Sequence, residues 1–128
     1  MTAHDPNLHP VHAPLAPPSE AEAGGVLTVD LTAIAANWKK LASMTVPVEC
    51  AAVVKADAYG CGLEPVVRKL TEAGCMTFFV ADLAEGRRAR MTAPDADVYL
   101  LNGVMPGTAA ALAEARLRPV INSTTELA

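Results

Sequence analysis

From Val26 onward, short unbroken apolar runs alternate with longer stretches in which apolar residues recur at helical spacing. Buried parallel strands and the helices that cover them read this way, so the chain is predicted to be α/β. Val26 to Val29 reads as a strand. Asp30 then caps a helix that lines up Leu31, Ile34, Trp38 and Leu41 on one face and is closed by Pro47. Cys50 to Lys55 is a second strand. After a loop from Ala56 to Gly62, the residues Leu63, Val66, Val67 and Leu70 fall at i, i+3, i+4 and i+7 of a helix, with Pro65 in its first turn and Gly74 as its stop.

Met76 to Ala81 is the third strand. Asp82 with Glu85 three residues on makes a capping box that opens a helix running to about Met91. Val98 to Leu101 is the fourth strand, an Ala-rich helix runs to about Arg116, and Pro119 to Ile121 is the fifth. The strands after the first begin at residues 50, 76, 98 and 119, a spacing that suits either a (β/α) barrel or an open doubly wound sheet. Ser123 and Glu126 form one more capping box with almost no chain behind it, so a truncated chain is expected. A complete (β/α)8 barrel takes about 250 residues.

Composition narrows the chemistry. The chain has 128 residues with a formal net charge of −4, which supplies no attraction for phosphate backbones or anionic lipid, so neither nucleic acid nor membrane is an expected partner. No apolar run approaches the roughly 20 residues of a membrane span, and there is no signal-peptide pattern, so a cytoplasmic location is expected. Cys50, Cys61 and Cys75 lack zinc spacing and read as reduced thiols. His4, His9 and His12 fall in a Pro-rich stretch, Met1 to Gly25, that reads as a disordered leader, so no metal is expected.

In parallel α/β folds, reactive residues gather at the carboxyl ends of strands, and Lys55 is placed there. Ala51, Val53 and Lys55 share one strand face. If that face points inward, the ammonium is partly desolvated and its free amine is favoured for Schiff-base chemistry; the plainer reading is a lysine reaching out to water. Tyr59, Gly60 and Gly62 follow at once and precede a helix, so backbone N–H groups and a phenol are available to a phosphate. Gly60-Cys61-Gly62 is a weak match to a dinucleotide fingerprint, because Pro65 stands where a third glycine belongs.

The stretch Ala52-Val53-Val54-Lys55-Ala56-Asp57-Ala58-Tyr59-Gly60-Cys61-Gly62 resembles the pyridoxal-phosphate attachment motif of bacterial alanine racemases, usually A-V-V-K-A-N-A-Y-G-H-G. The resemblance extends from Val26-Leu27-Thr28-Val29-Asp30-Leu31 through Glu72-Ala73-Gly74 and Phe79-Val80-Ala81 to Leu100-Leu101-Asn102-Gly103 and Arg118-Pro119-Val120. It implies that residues 26–128 are the first part of a (β/α)8 TIM-type barrel, roughly four βα units after an N-terminal strand and helix. It also implies that Lys55 is the Schiff-base lysine and base on one face of the α-carbon, that Tyr59 bonds the coenzyme phosphate, and that Val53 and Leu101 line the pocket.

The implied reaction interconverts L-alanine and D-alanine for peptidoglycan, in a protein that is a homodimer at full length. Racemisation needs a second base, which the family draws from a C-terminal β domain of the partner subunit, so this chain alone is expected to be inactive. Another amino-acid racemase or decarboxylase of the same barrel type, or a fragment that at most binds the coenzyme, are the alternatives. Asp57 and Cys61 stand where the motif usually has Asn and His, and they bear on the bonds that orient Tyr59. Tyr99 reads as a half-buried strand residue, Arg87, Arg88 and Arg90 as a solvated helix face, Asp95 and Asp97 as turn residues, and Cys61 lacks a histidine partner.

Overall fold

The computed structural model describes Ser19 and residues 21–127. Almost all of the predicted leader, with His4, His9 and His12, lies outside the described residues. The elements run α1 (Leu31–Thr45), β1 (Ala52–Val53), a helical turn α2 (Lys55–Tyr59), α3 (Leu63–Ala73), β2 (Thr77–Val80), α4 (Leu83–Thr92), β3 (Asp97–Leu100), α5 (Ala109–Glu114), β4 (Arg118–Pro119) and a 3-10 turn at Thr124–Leu127. All strand pairs are parallel, in the order β1-β2-β3-β4. Spatial order equals chain order, as in a barrel wall, whereas a doubly wound sheet reverses direction at a switch point. The fold is a partial (β/α)8 TIM-type barrel.

Local chemistry sets the element ends. Asp30 Oδ1 accepts the N–H groups of Thr32 and Ala33 at 2.9 and 3.0 Å, and Asp82 Oδ1 accepts that of Glu85 at 3.0 Å, so the N-caps predicted at Asp30 and Asp82 are present. Gly74 closes α3 in the left-handed conformation, φ 108°. The Trp38 indole donates to the Cys50 carbonyl at 3.1 Å and ties α1 to the entry of β1.

One side of the sheet is the core. Ala52, Val54, Phe78, Val80, Val98 and Leu100 are buried there, against Leu63, Val66, Val67 and Leu70 of α3 and Ala89 of α4. Their strand neighbours Val53, Phe79 and Tyr99 face the other way and stay partly exposed. Among the described residues no helix covers that second face, which in a closed barrel is the interior.

Three expectations are corrected. Val26 to Val29 forms no strand: Val26 and Leu27 are exposed, and an extended segment without a hydrogen-bonding neighbour is not a ladder. The second strand ends at Val53 rather than Lys55, because the chain turns left-handed at Ala56 and leaves the pleat. The last strand starts one residue early, at Arg118, although the Val120 N–H still reaches the Leu100 carbonyl at 2.8 Å. No helix among the described residues is long and apolar enough to cross a membrane.

Candidate functional site

The site grows from an unusual piece of backbone. Ala56, Asp57, Ala58 and Tyr59 all have φ between 53° and 55°, four consecutive non-glycine residues in the left-handed region. Each such residue costs about 1–2 kcal/mol for an L amino acid. The turn persists because its bonds are made: Ala58 N–H to Val54 O at 2.9 Å, Gly60 N–H to Ala56 O at 3.0 Å and Gly62 N–H to Asp57 O at 2.9 Å. Gly60 then continues at φ 82°, which glycine adopts without strain.

Helix α4 clamps this turn from the side. Glu85 is shared between two chain segments, accepting the N–H of Asp57 at 2.8 Å and that of Ala81, at the end of β2, at 2.9 Å. Arg88 lies one turn further along α4. Its Nη2 donates to Asp57 Oδ1 at 2.7 Å, and its Nε and Nη2 make a two-pronged bond to Glu64 at 2.6 and 2.7 Å. Asp57 Oδ1 also accepts the Leu63 N–H at 3.1 Å, capping the start of α3. The reading of Arg87, Arg88 and Arg90 as a solvated face therefore holds for Arg87 alone. The Arg90 guanidinium donates to the carbonyls of Pro94, Ala96, Ala115 and Arg116, which fastens the loop before β3 to the end of α5.

The Arg88 guanidinium, by its bonds, holds the Glu64 carboxyl down at about 2 from the usual 4.5, and it lowers that of Asp57 together with the Leu63 N–H. A carboxyl depressed on folding stabilises fully above its unfolded pKa, and that contribution drains away as the pH falls through the folded value. The thermal midpoint should therefore drop as acid is added below about pH 4.5. Glu64→Gln should flatten that drop, measured by circular dichroism melts down the pH series; a wild-type slope in the variant would contradict the assignment.

The four residues singled out from sequence lie at one end of the sheet. Val53 closes β1, Lys55 opens the turn, Tyr59 ends it, and Leu101 follows β3. Leu101 bonds through its N–H to Val80 O at 2.9 Å, so it sits two strand spacings from β1, about 10 Å across the sheet. Val53 pairs with Phe79 and Phe79 with Tyr99, making a row across the helix-free face. The Phe79 and Tyr99 rings stack at 5.0 Å, and the Tyr99 hydroxyl accepts from Arg118 at 3.0 Å. Tyr99 is thus a half-buried strand residue as read, and Asp97 is a strand residue paired with Arg118 rather than a turn residue.

Two expectations about this chemistry change. Lys55 is exposed, because the face that would desolvate it is uncovered among the described residues. The backbone N–H groups of Gly60, Cys61, Gly62 and Leu63 are not free for a phosphate, since each is bonded within the turn or to Asp57. What remains for an anion is the Tyr59 phenol, 63% exposed. A primary amine, a phenolic donor and an apolar floor of Val53, Phe79 and Leu101 still fit an aldehyde-bearing, phosphorylated aromatic coenzyme. Among the described residues no group of three His, Cys, Asp or Glu side chains is placed to hold a metal.

Sequence reasoning missed Glu85, Arg88 and Glu64 as parts of this site. Glu85 was visible as a capping-box residue, but nothing local signals that Arg88 meets a carboxylate 31 positions away.

Comparison with known proteins bears on the same stretch. A family model described as "Alanine racemase, N-terminal domain" matches residues 29–128. The alanine racemase of Methylobacterium nodulans is 52% identical over 105 residues, which is 82% of this chain and 28% of that protein. That of Brucella abortus is 47% identical over 106 residues, 82% of this chain and 27% of its own length. The chain thus spans little more than a quarter of these relatives. A crystal structure of alanine racemase from Bartonella henselae with covalently bound pyridoxal phosphate superposes with a TM-score of 0.75 at 38% identity, covering 77% of this chain and 29% of that one. Alanine racemase from E. faecalis superposes with a TM-score of 0.70 at 26% identity, covering 77% and 27%.

Proposed function

The chain belongs to the alanine racemase family, and from that premise we propose that it is the part of a pyridoxal-phosphate-dependent racemase that attaches the coenzyme through Lys55. The observation that carries this reading is the left-handed turn at the end of β1, which begins at the exposed Lys55 and ends at the exposed Tyr59. When bound, the coenzyme supplies an aldehyde for the lysine and an electron-withdrawing ring that makes an amino-acid α-proton removable.

The protein's part is to bind and orient. Lys55 provides the amine and, once released, the base on one face of the substrate α-carbon. Tyr59 donates its phenolic hydrogen to the phosphate. Val53 and Leu101 pack against the ring, and the stacked Phe79–Tyr99 pair extends that apolar surface. Removal and return of a proton from opposite faces needs a second base, assigned here to a part of the whole protein beyond this chain. The substrate is alanine, interconverted between L and D forms for peptidoglycan, in a cytoplasmic homodimer without nucleic-acid or membrane partners. The isolated chain holds coenzyme without racemising, a reading favoured by the exposure of Lys55.

Pyridoxal phosphate added to the purified chain is expected to give a visible absorption band, and borohydride to fix the coenzyme on the peptide that contains Lys55. Incubation of the loaded chain with L-alanine is expected to yield no D-alanine by chiral chromatography. Absence of the band, or attachment elsewhere, would remove the basis for the assignment.

A further inference from the structure

We propose that Arg88 is a positioning residue for coenzyme attachment: through its bonds to Asp57 and Glu64 it holds the strained turn so that Lys55 and Tyr59 engage the two ends of one coenzyme molecule. This rests on the reading above and adds a residue that does not itself touch the coenzyme. Four left-handed residues in a row are not a conformation that an L chain keeps unaided. The turn's own carbonyl bonds close it, but they do not fix its direction relative to the sheet. Direction comes from Asp57, which is gripped at three points: its N–H by Glu85, and its carboxylate by the Leu63 N–H and by Arg88.

Arg88 differs from the other grips because it ties both α2 and α3 to α4. The planar guanidinium spans Asp57 of α2 and Glu64 of α3 from a base on α4, with Nη2 shared between both carboxylates. A lysine at this position would supply charge without the fork. The Asp57 carboxylate itself is engaged by α3 and α4. With Arg88 removed, the Asp57 carboxylate keeps the Leu63 cap but loses its link to α4, which leaves the Glu85 bond to the Asp57 N–H as the single tie, and the turn is freer to pivot about Gly60 and Gly62. Lys55 still meets an aldehyde after such a pivot. Tyr59 no longer meets the phosphate at the same time.

The test compares pyridoxal phosphate with pyridoxal, which carries the aldehyde but not the phosphate. Arg88→Met is expected to weaken adduct formation with pyridoxal phosphate about tenfold while leaving pyridoxal nearly unchanged, so the preference for the phosphorylated form falls by that factor. Arg88→Lys should recover little of it if geometry is what matters, and most of it if Arg88 merely supplies positive charge, an outcome that would overturn the inference. Hydrogen exchange of the coenzyme-free chain should show faster exchange at residues 57–62 in Arg88→Met. Should Arg88→Met fail to fold, Asp57→Ala, which removes the acceptor and suits a turn already flanked by Ala56 and Ala58, reads the same link by the same ratio. If the parent chain forms no adduct, the proposed function falls and this inference with it. If the parent forms one and neither Arg88→Met nor Asp57→Ala changes the ratio, this inference alone is overturned.

Discussion

Lys55→Ala is expected to reduce borohydride-trapped coenzyme on this chain to the background left by its other lysines. Only Lys39, Lys40 and Lys69 remain in that variant, the first two on α1 and the third on α3 beside Glu72 at 3.9 Å. None has a neighbouring phenol set by the backbone, so each reacts as an ordinary surface amine, exposed at Lys39 and Lys40 and half-buried at Lys69. Lys55→Arg makes the sharper comparison, because it preserves charge and most of the volume while removing an amine that can condense with an aldehyde. Both variants should lose the visible band, and peptide mapping should find no dominant site. The fold should survive, since Lys55 is exposed and its side chain supports nothing in the core. A band of parental strength in either variant would mean that the amine at the end of β1 is not the attachment point.

Phe78→Ala is expected to have the largest effect on stability. Phe78 heads the fully buried side chains and stands on β2, in register with Ala52 of β1 and Val98 of β3, with α3 and α4 over it. Truncating such a phenylalanine typically costs about 3–5 kcal/mol, against a total of about 5–15 kcal/mol for a domain. This domain buries one sheet face where a closed barrel buries two, so the lower part of that range applies. The urea midpoint should therefore fall by about 1–3 M or the transition should vanish at room temperature. Phe78→Leu, which keeps most of the volume, should lose less than about 1.5 kcal/mol. An unchanged midpoint in Phe78→Ala would show that the helix-covered face is not the main source of stability.

The sequence made the parallel α/β class, the helices α1, α3, α4 and α5 and the N-caps Asp30 and Asp82 readable, because these depend on spacing within one element. The same is true of the candidate residues: Lys55 and Tyr59 are near neighbours in a recognisable motif, and Leu101 ends an apolar run. The hand of the turn was not readable, since alanine, aspartate and tyrosine all prefer the opposite region and only the surrounding bonds hold them. Nor was the role of Arg88, which depends on how α4 packs beside α3. Val26 to Val29 was misread for a related reason. Apolar alternation says that a segment suits a ladder, but a ladder needs a partner strand, and none is beside it among the described residues.

The winding sense from Ala56 to Tyr59 also explains the turn's make-up. It is the left-handed path that a helix of mirror-image residues would favour, and with L residues each β-carbon is crowded by the next carbonyl oxygen. Two of the four places, Ala56 and Ala58, hold the smallest side chain that has a β-carbon, and Ala58 is buried with only 6% exposure. A branched side chain at either place would add bulk where the backbone leaves least room. Alanine at these two places therefore eases the stereochemical crowding of the turn, apart from anything that a ligand requires.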